Sequence, residues 1–183
     1  MFDALFTTTT EYKKLSHALS GKGACALFGL PASGRAQVYA ALCRQLDKPL
    51  CIVTPGEAEA TRFAADLNTL GIPAAVFPAR DYVLRPIEGT AREYEYRRLA
   101  VLGELVGGRL RAVAVPAEAL TQFTTPKEDF CANTRTLHAG DTLLRDDLLA
   151  ALFGAGYTRR AQVDGPGQFS VRGDIAPFSM PTV

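Results

Sequence analysis

Between residues 24 and 120, short unbroken apolar runs alternate with segments whose apolar residues recur at helical spacing, and this alternation limits the fold more than any other feature of the chain. A strand covered on both faces reads as a continuous apolar run, and strands separated by helices form βαβ units. The pattern therefore predicts a parallel sheet with helices on both sides. Residues 24–28 (Ala24, Cys25, Ala26, Leu27, Phe28) read as a first buried strand, and residues 35–46 as a helix with Val38, Leu42 and Leu46 on one side. Residues 50–53 are a second strand; Pro55 and Gly56 then punctuate. Residues 57–70 read as a helix presenting Phe63, Leu67 and Leu70, with Gly71 as its stop. Residues 74–77 are a third strand, followed by a loop to about Gly89. Residues 90–106 are a helix capped by Thr90 and stopped by Gly107 and Gly108. Residues 112–115 are a fourth strand, with Pro116 suited to the first turn of a short helix.

After Leu120 the pattern changes. Residues 121–129 read as a connector, 134–137 as a strand, and 145–153 as a helix with Leu148, Leu149 and Leu152 inward. Asp146 and Asp147 suit that helix's N-terminal dipole, although Leu144 is a poor cap. Residues 157–163 and 168–171 flank Asp164-Gly165-Pro166-Gly167, a hairpin signal. The expected organisation is an α/β domain over residues 1–125 and a small α+β domain over 126–183.

Composition excludes several classes. With 20 Lys+Arg against 19 Asp+Glu, a net charge of +1, the chain lacks the footprint of a strongly basic nucleic-acid binder, though a local patch stays open. Gly, Pro or charge interrupts every apolar stretch well short of the roughly 20 residues that span a bilayer, and the first residues show no secretory pattern. A soluble cytoplasmic protein without a membrane partner is expected. Cys25, Cys43, Cys51 and Cys131 are scattered and only His17 and His138 could join them, so buried reduced thiols are expected, with neither metal nor disulfide framework. Neither histidine lies beside a Ser or Cys nucleophile in a recognisable motif. Arg97 and Arg98 stand at pairing distance from Glu93 and Glu95 along a helix and read as a solvated, salt-bridged face.

Residues 29–36 (Gly29, Leu30, Pro31, Ala32, Ser33, Gly34, Arg35, Ala36) follow the first expected strand and open the first expected helix. That is the setting of the G-x-x-x-x-G-K-[ST] loop, in which backbone N–H groups wrap phosphates, Lys reaches the β/γ oxygens and Ser/Thr holds Mg²⁺. Gly29 and Gly34 keep the spacing, whereas Arg35 and Ala36 replace the two chemical residues. A planar guanidinium does not substitute for a compact ammonium, and Ala36 cannot ligate a metal. Without Mg²⁺, phosphoryl transfer loses the ion that neutralises developing charge. No Asp-Glu pair follows any apolar strand, and the fourth strand ends in Val115-Pro116. No nucleotide cofactor is therefore expected, and the two glycines serve either to shape a turn or to retain anion binding at the helix start.

Two further segments carry a resemblance. Residues 92–99 (Arg-Glu-Tyr-Glu-Tyr-Arg-Arg-Leu) precede the strand-plus-Pro pattern of residues 112–120. Gly154-Ala155-Gly156-Tyr157 is followed by Gly167-Gln168-Phe169-Ser170-Val171-Arg172-Gly173-Asp174-Ile175. Together with the altered loop, these make residues 24–175 resemble the module shared by the UvrB excision-repair proteins and the N-termini of bacterial transcription-repair coupling factors, the Mfd family. The coupling factors are the nearer match, because UvrB keeps a working phosphate loop and inserts a long aromatic hairpin that clamps DNA. Here residues 78–89 form only a short loop with Tyr82 as its one aromatic.

The resemblance implies a RecA/helicase-type parallel-sheet domain with a degenerate nucleotide site, followed by a small inserted α+β domain. It implies an N-terminal piece of a longer protein, non-catalytic in itself, that docks UvrA and brings nucleotide excision repair to stalled RNA polymerase. ATP and Mg²⁺ then belong to motor domains elsewhere in an ATP-dependent DNA translocase, which with its neighbours would also contact RNA polymerase and DNA. Arg172 matches the arginine of the family's RG motif and is the expected partner-binding residue, its alternative being a charge pair with Asp164 or Asp174; Arg159 and Arg160 either extend its patch or stand solvated. After Ile175 the family has a strand, whereas Pro177 here predicts an edge, a bulge or irregular chain. The competing readings are a divergent nucleotide-binding protein using Arg35 and a UvrB-type DNA-binding repair protein.

Overall fold

The computed structural model describes residues 7–21, 24–46, 48–80, 91–173 and 175–180. It divides into two compact units, Met1–Gln122 and Phe123–Val183.

In the first unit, helix α1 (Thr10–Ser20) starts at Thr9, whose hydroxyl accepts from the Tyr12 N–H at 3.3 Å. Its buried residues Tyr12 and Leu15 pack on Val38, Ala41 and Leu42 of helix α2 (Ala32–Gln45). Strand β1 (Leu50–Thr54) is followed by helix α3 (Glu57–Thr69), strand β2 (Ala74–Val76), helix α4 (Ala91–Val106), strand β3 (Ala112–Pro116) and the short helix α5 (Ala117–Leu120). Among the described residues the three strands form a parallel sheet in the order β1-β3-β2, with Ala114 opposite both Ile52 and Val76.

All five β3 residues are buried, as a central parallel strand requires. Ala112 and Ala114 face Ala36, Ala40 and Cys43 of α2 and Ala60, Phe63, Ala64 and Leu67 of α3. Val113 and Val115 face the opposite layer, with Val101 of α4, Phe77, Leu110 and Ala119. Small residues on the first face let two helices approach the sheet closely. Gly71, at φ +76°, ends α3 in a left-handed turn that lets Ile72 N–H reach the Leu67 carbonyl at 2.9 Å. Arginines serve two helix ends: Arg111 donates to the Cys43 and Leu46 carbonyls at the end of α2, and Arg44 to the Leu70 carbonyl at the end of α3.

Several expectations for this unit need correction. Residues 24–28 form no strand and are exposed throughout, Phe28 at 88%. Apolar composition makes a strand only where a neighbour completes its hydrogen bonds, and β1, β3 and β2 pair among themselves. Buried thiols hold only for Cys43; Cys25, Cys51 and Cys131 are exposed and free. Arg98 is no solvated residue: it is 4% exposed, its guanidinium 4.1 Å from the Phe77 ring centre. Glu95 pairs instead with Arg80 at 3.5 Å. Thr90, most of the expected 78–89 loop and the Glu93 side chain lie outside the described residues. Pro116 stands one residue earlier than expected, at the N-cap of α5.

In the second unit, helix α6 (Lys127–Asn133) begins within the last three residues of the expected 121–129 connector, and residues 134–137 form no strand. Helix α7 (Arg145–Gly154) falls where expected; Leu144 caps it without a side-chain hydrogen bond and Leu152 is buried. Strands β4 (Thr158–Arg159), β5 (Gln168–Phe169) and β6 (Phe178–Ser179) form a small sheet in the order β4-β5-β6. Phe169, fully buried, anchors it, edge to face with Phe153 at 5.0 Å. The expected hairpin is corrected, because β4 and β5 run parallel. The reversal comes later, where Arg172 and Ile175 bridge antiparallel, Gly173 takes φ +59°, and β6 returns antiparallel to β5. A tight reversal wants a residue that tolerates positive φ, and Gly173 supplies it directly between the two pairing segments. Pro177 does not make the chain beyond Ile175 irregular: its carbonyl accepts from Ser170 N–H at 2.9 Å and leads into β6, an edge strand. Among the described residues no helix is long and apolar enough to cross a membrane.

Candidate functional sites

The altered phosphate loop is shorter than its sequence spacing implies. Helix α2 begins at Ala32, so Gly34, Arg35 and Ala36 already lie inside it, and Arg35 N–H bonds the Pro31 carbonyl at 3.1 Å. Only Gly29, Leu30 and Pro31 are left to turn, with Gly29 at φ +80°. Pro31, the N-cap, has no N–H to offer and no side-chain cap bond. A phosphate cradle needs successive backbone N–H groups curled around one point. Here the stretch that would curl is wound into helix.

The two replaced residues are also committed elsewhere. Arg35 lies 3.8 Å from Glu59 of α3, which in turn lies 3.7 Å from Arg62. Ala36 is 2% exposed in the core between α2 and the sheet, and a Cβ added at Gly34 would come within 3.3 Å of Pro31 Cδ. The sequence singled out Gly29, Gly34, Arg35 and Ala36 as a group, and the fold uses them as a turn, a tight first helical turn, a surface ion pair and a core contact.

The second site is the reversal at Arg172. Its backbone is fixed by two hydrogen bonds with Ile175, at 2.9 and 3.1 Å. The exposed guanidinium donates to the Ala161 carbonyl at 3.3 Å, an oxygen that also accepts from the Ser170 hydroxyl at 3.0 Å. Among the described residues no ion pair joins Asp164 to Arg172; the Asp164 backbone N–H bonds Gln168 Oε1 at 2.9 Å, and Asp174 lies outside the described residues. Arg159 and Arg160 are exposed on and beside β4.

One residue here escaped sequence reasoning. Arg145, at the start of α7, donates through Nη1 to the Gly173 carbonyl at 3.3 Å and lies 3.6 Å from Asp146. It thereby stands beside the Arg172 turn although 27 residues separate the two in sequence (172 − 145), and no local motif signals the meeting. Leu144 at 73% and Ile175 at 69% exposure flank the two arginines along the chain. Two exposed arginines with exposed large apolar neighbours suit a protein interface, where arginine is enriched among the residues that carry binding energy.

Comparison with known proteins bears on the same region. Residues 136–179 match the family described as the UvrB interaction domain. The chain is 28% identical over 151 residues to the transcription-repair-coupling factor of Bacillus subtilis (strain 168), covering 81% of this chain and 13% of that protein. It is 26% identical over 149 residues to the coupling factor of Staphylococcus aureus (strain USA300), with 80% and 13% covered. It is also 26% identical over 164 residues to UvrABC system protein B of Chlorobium limicola, covering 81% of this chain and 24% of that protein. The aligned part thus spans about 13% of the length of the coupling factors.

Proposed function

We propose that this chain, a relative of the transcription-repair-coupling factors that carries a UvrB interaction domain, is a non-catalytic docking module for UvrA. Its residues 1–125 act as a UvrB-like α/β platform with a degenerate RecA-type nucleotide site, and residues 126–183 as the docking domain. The observation that carries the reading is the Arg172 turn, with Arg145 beside it, exposed within the segment that matches the interaction domain. In the whole protein, docking would bring UvrA to stalled RNA polymerase for excision repair. Contacts to polymerase and DNA, and translocation driven by ATP and Mg²⁺, would reside in parts beyond this chain.

The loop geometry supports the absence of catalysis. A lysine and a metal-binding hydroxyl are replaced by an arginine directed at Glu59 and a buried alanine, so neither developing phosphate charge nor Mg²⁺ has a partner. Immobilised UvrA tested by biolayer interferometry against the full 183-residue chain is expected to bind it. Arg172→Ala should weaken binding by about tenfold or more, the loss of one interfacial charge-assisted contact. Arg145→Ala should weaken it as well, while Arg62→Ala, in the other unit, should not. A folded chain that does not bind UvrA, or binding indifferent to both unit-two arginines, would sink the proposal.

A further inference from the structure

Lys13, Ser16, His17 and Ser20 stand at i, i+3, i+4 and i+7 on α1 and share one stripe of the helix. Where that stripe meets the end of α2 the helices leave an open cleft of about 510 Å³. Tyr12, Ser16 and Ala41 are buried and make its floor, while Lys13, His17, Arg44 and Gln45 are exposed around it. The Tyr12 hydroxyl donates to Gln45 Oε1 at 3.0 Å, which leaves the Gln45 amide N–H groups as donors. Arg44 adds its positive charge beside the cleft, while its guanidinium donates to the Leu70 carbonyl at the end of α3. Among the described residues no carboxylate lines the cleft. Glu11, the acidic residue in the first turn of α1, lies about 200° around the helix from Lys13, on the far side.

We propose that this cleft binds a phosphate group. Its donors are of the kinds that phosphate oxygens accept: the Lys13 ammonium, the His17 imidazole and the Gln45 amide, drawn from two helices. The C-terminal ends of α1 and α2 each contribute roughly half a negative charge, which the charges of Lys13 and Arg44 together more than offset. Among the described residues the cleft offers no aromatic face for a base, Tyr12 being only 6% exposed, so it is matched to a phosphate more than to a nucleobase. The ligand is either a free phosphoester or one phosphate of a nucleic-acid backbone. This site lies in the first unit and stands independently of UvrA docking.

The test is a ¹⁵N-edited NMR titration of the full chain with inorganic pyrophosphate and, separately, with a short DNA duplex of arbitrary sequence. Saturable shifts at Lys13, His17 and Gln45 are expected. Lys13→Glu should cost about tenfold in affinity, the effect of one charge-assisted hydrogen bond, and so should His17→Glu. Both side chains are exposed, so both variants should keep the circular dichroism of the parent. Binding of the duplex far more tightly than of pyrophosphate, with a salt slope that falls by about one in Lys13→Gln, assigns a nucleic-acid backbone; comparable binding of the two assigns a free phosphoester. No saturable shift with either probe, or affinities that both variants leave unchanged, would overturn the proposal.

Discussion

Gln122 offers the sharpest test of how the first unit holds together. Its Oε1 accepts from Arg80 N–H at 2.7 Å and from Arg98 Nη1 at 3.1 Å, and its Nε2 donates to the Arg80 carbonyl at 3.1 Å. Arg98 also donates to the Pro78 carbonyl at 2.8 Å and stacks on Phe77. Gln122→Leu keeps roughly the same volume but removes all three hydrogen bonds, one of them to a buried cation. Neutral hydrogen bonds contribute about 1 kcal/mol each and charged ones about 1.5–3, so the variant should lose about 3.5–5 kcal/mol. The chain has no Trp, so urea unfolding is best followed by far-ultraviolet circular dichroism, where the loss reads as a lower midpoint at unchanged slope. Adding Arg98→Leu separates the causes. If part of the penalty is that of taking one hydrogen bond from a buried charge, the double variant should lose about 1–2 kcal/mol less than the two single losses combined. A midpoint that barely moves in Gln122→Leu, or strict additivity in the pair, would refute this account.

Gly71→Ala should cost about 1 kcal/mol by chemical denaturation: a Cβ there meets nothing within 4 Å, so the loss is that of a left-handed backbone alone. Stability equal to the parent would show that α3 ends in another way in solution. At the end of α4, the Arg109 hydrogen bond at 2.8 Å holds the Glu104 carboxyl below its ordinary range. Because the folded value is the lower one, this exposed pair stabilises the fold above the unfolded-state pKa of Glu104 and ceases to as pH falls through the folded value. Arg109→Gln should move the Glu104 carboxyl titration upward in carbon-detected NMR, and an unmoved curve would discard the pairing.

Which parts of the chain were readable in advance follows from where their determinants lie. Helices α2, α3, α4 and α7 were legible because their apolar spacing, Gly71 and the Gly107-Gly108 stop are local. Strands β1, β2 and β3 were legible because both their faces, or nearly so, are apolar. Residues 24–28 carry the same signature but pair with none of the described strands, and a pairing partner is not written in the segment itself. The reversal in the second unit failed for a similar reason: Asp164-Gly165-Pro166-Gly167 is a sound turn sequence, yet the antiparallel bridge forms around Gly173. Arg98 was misassigned because a helical charge pattern says nothing of Phe77 and Gln122 arriving from elsewhere in the fold. At the candidate interface Arg172 was legible from its motif, whereas Arg145 was not, since its place beside the turn depends on tertiary geometry.

The early start of α2 resists conversion of this stretch into a phosphate loop. Writing Lys and Thr back at positions 35 and 36 would restore the letters of a phosphate loop without restoring its shape. Ala36 is packed between helix and sheet, and a larger, hydroxyl-bearing side chain there costs about 1–3 kcal/mol in crowding alone. The first turn from Ala32 would have to unwind as well, surrendering the Arg35 N–H bond to Pro31 that now closes it. A working phosphate cradle here would therefore need the turn and the helix start rebuilt together, and the exchange of two side chains would not supply it.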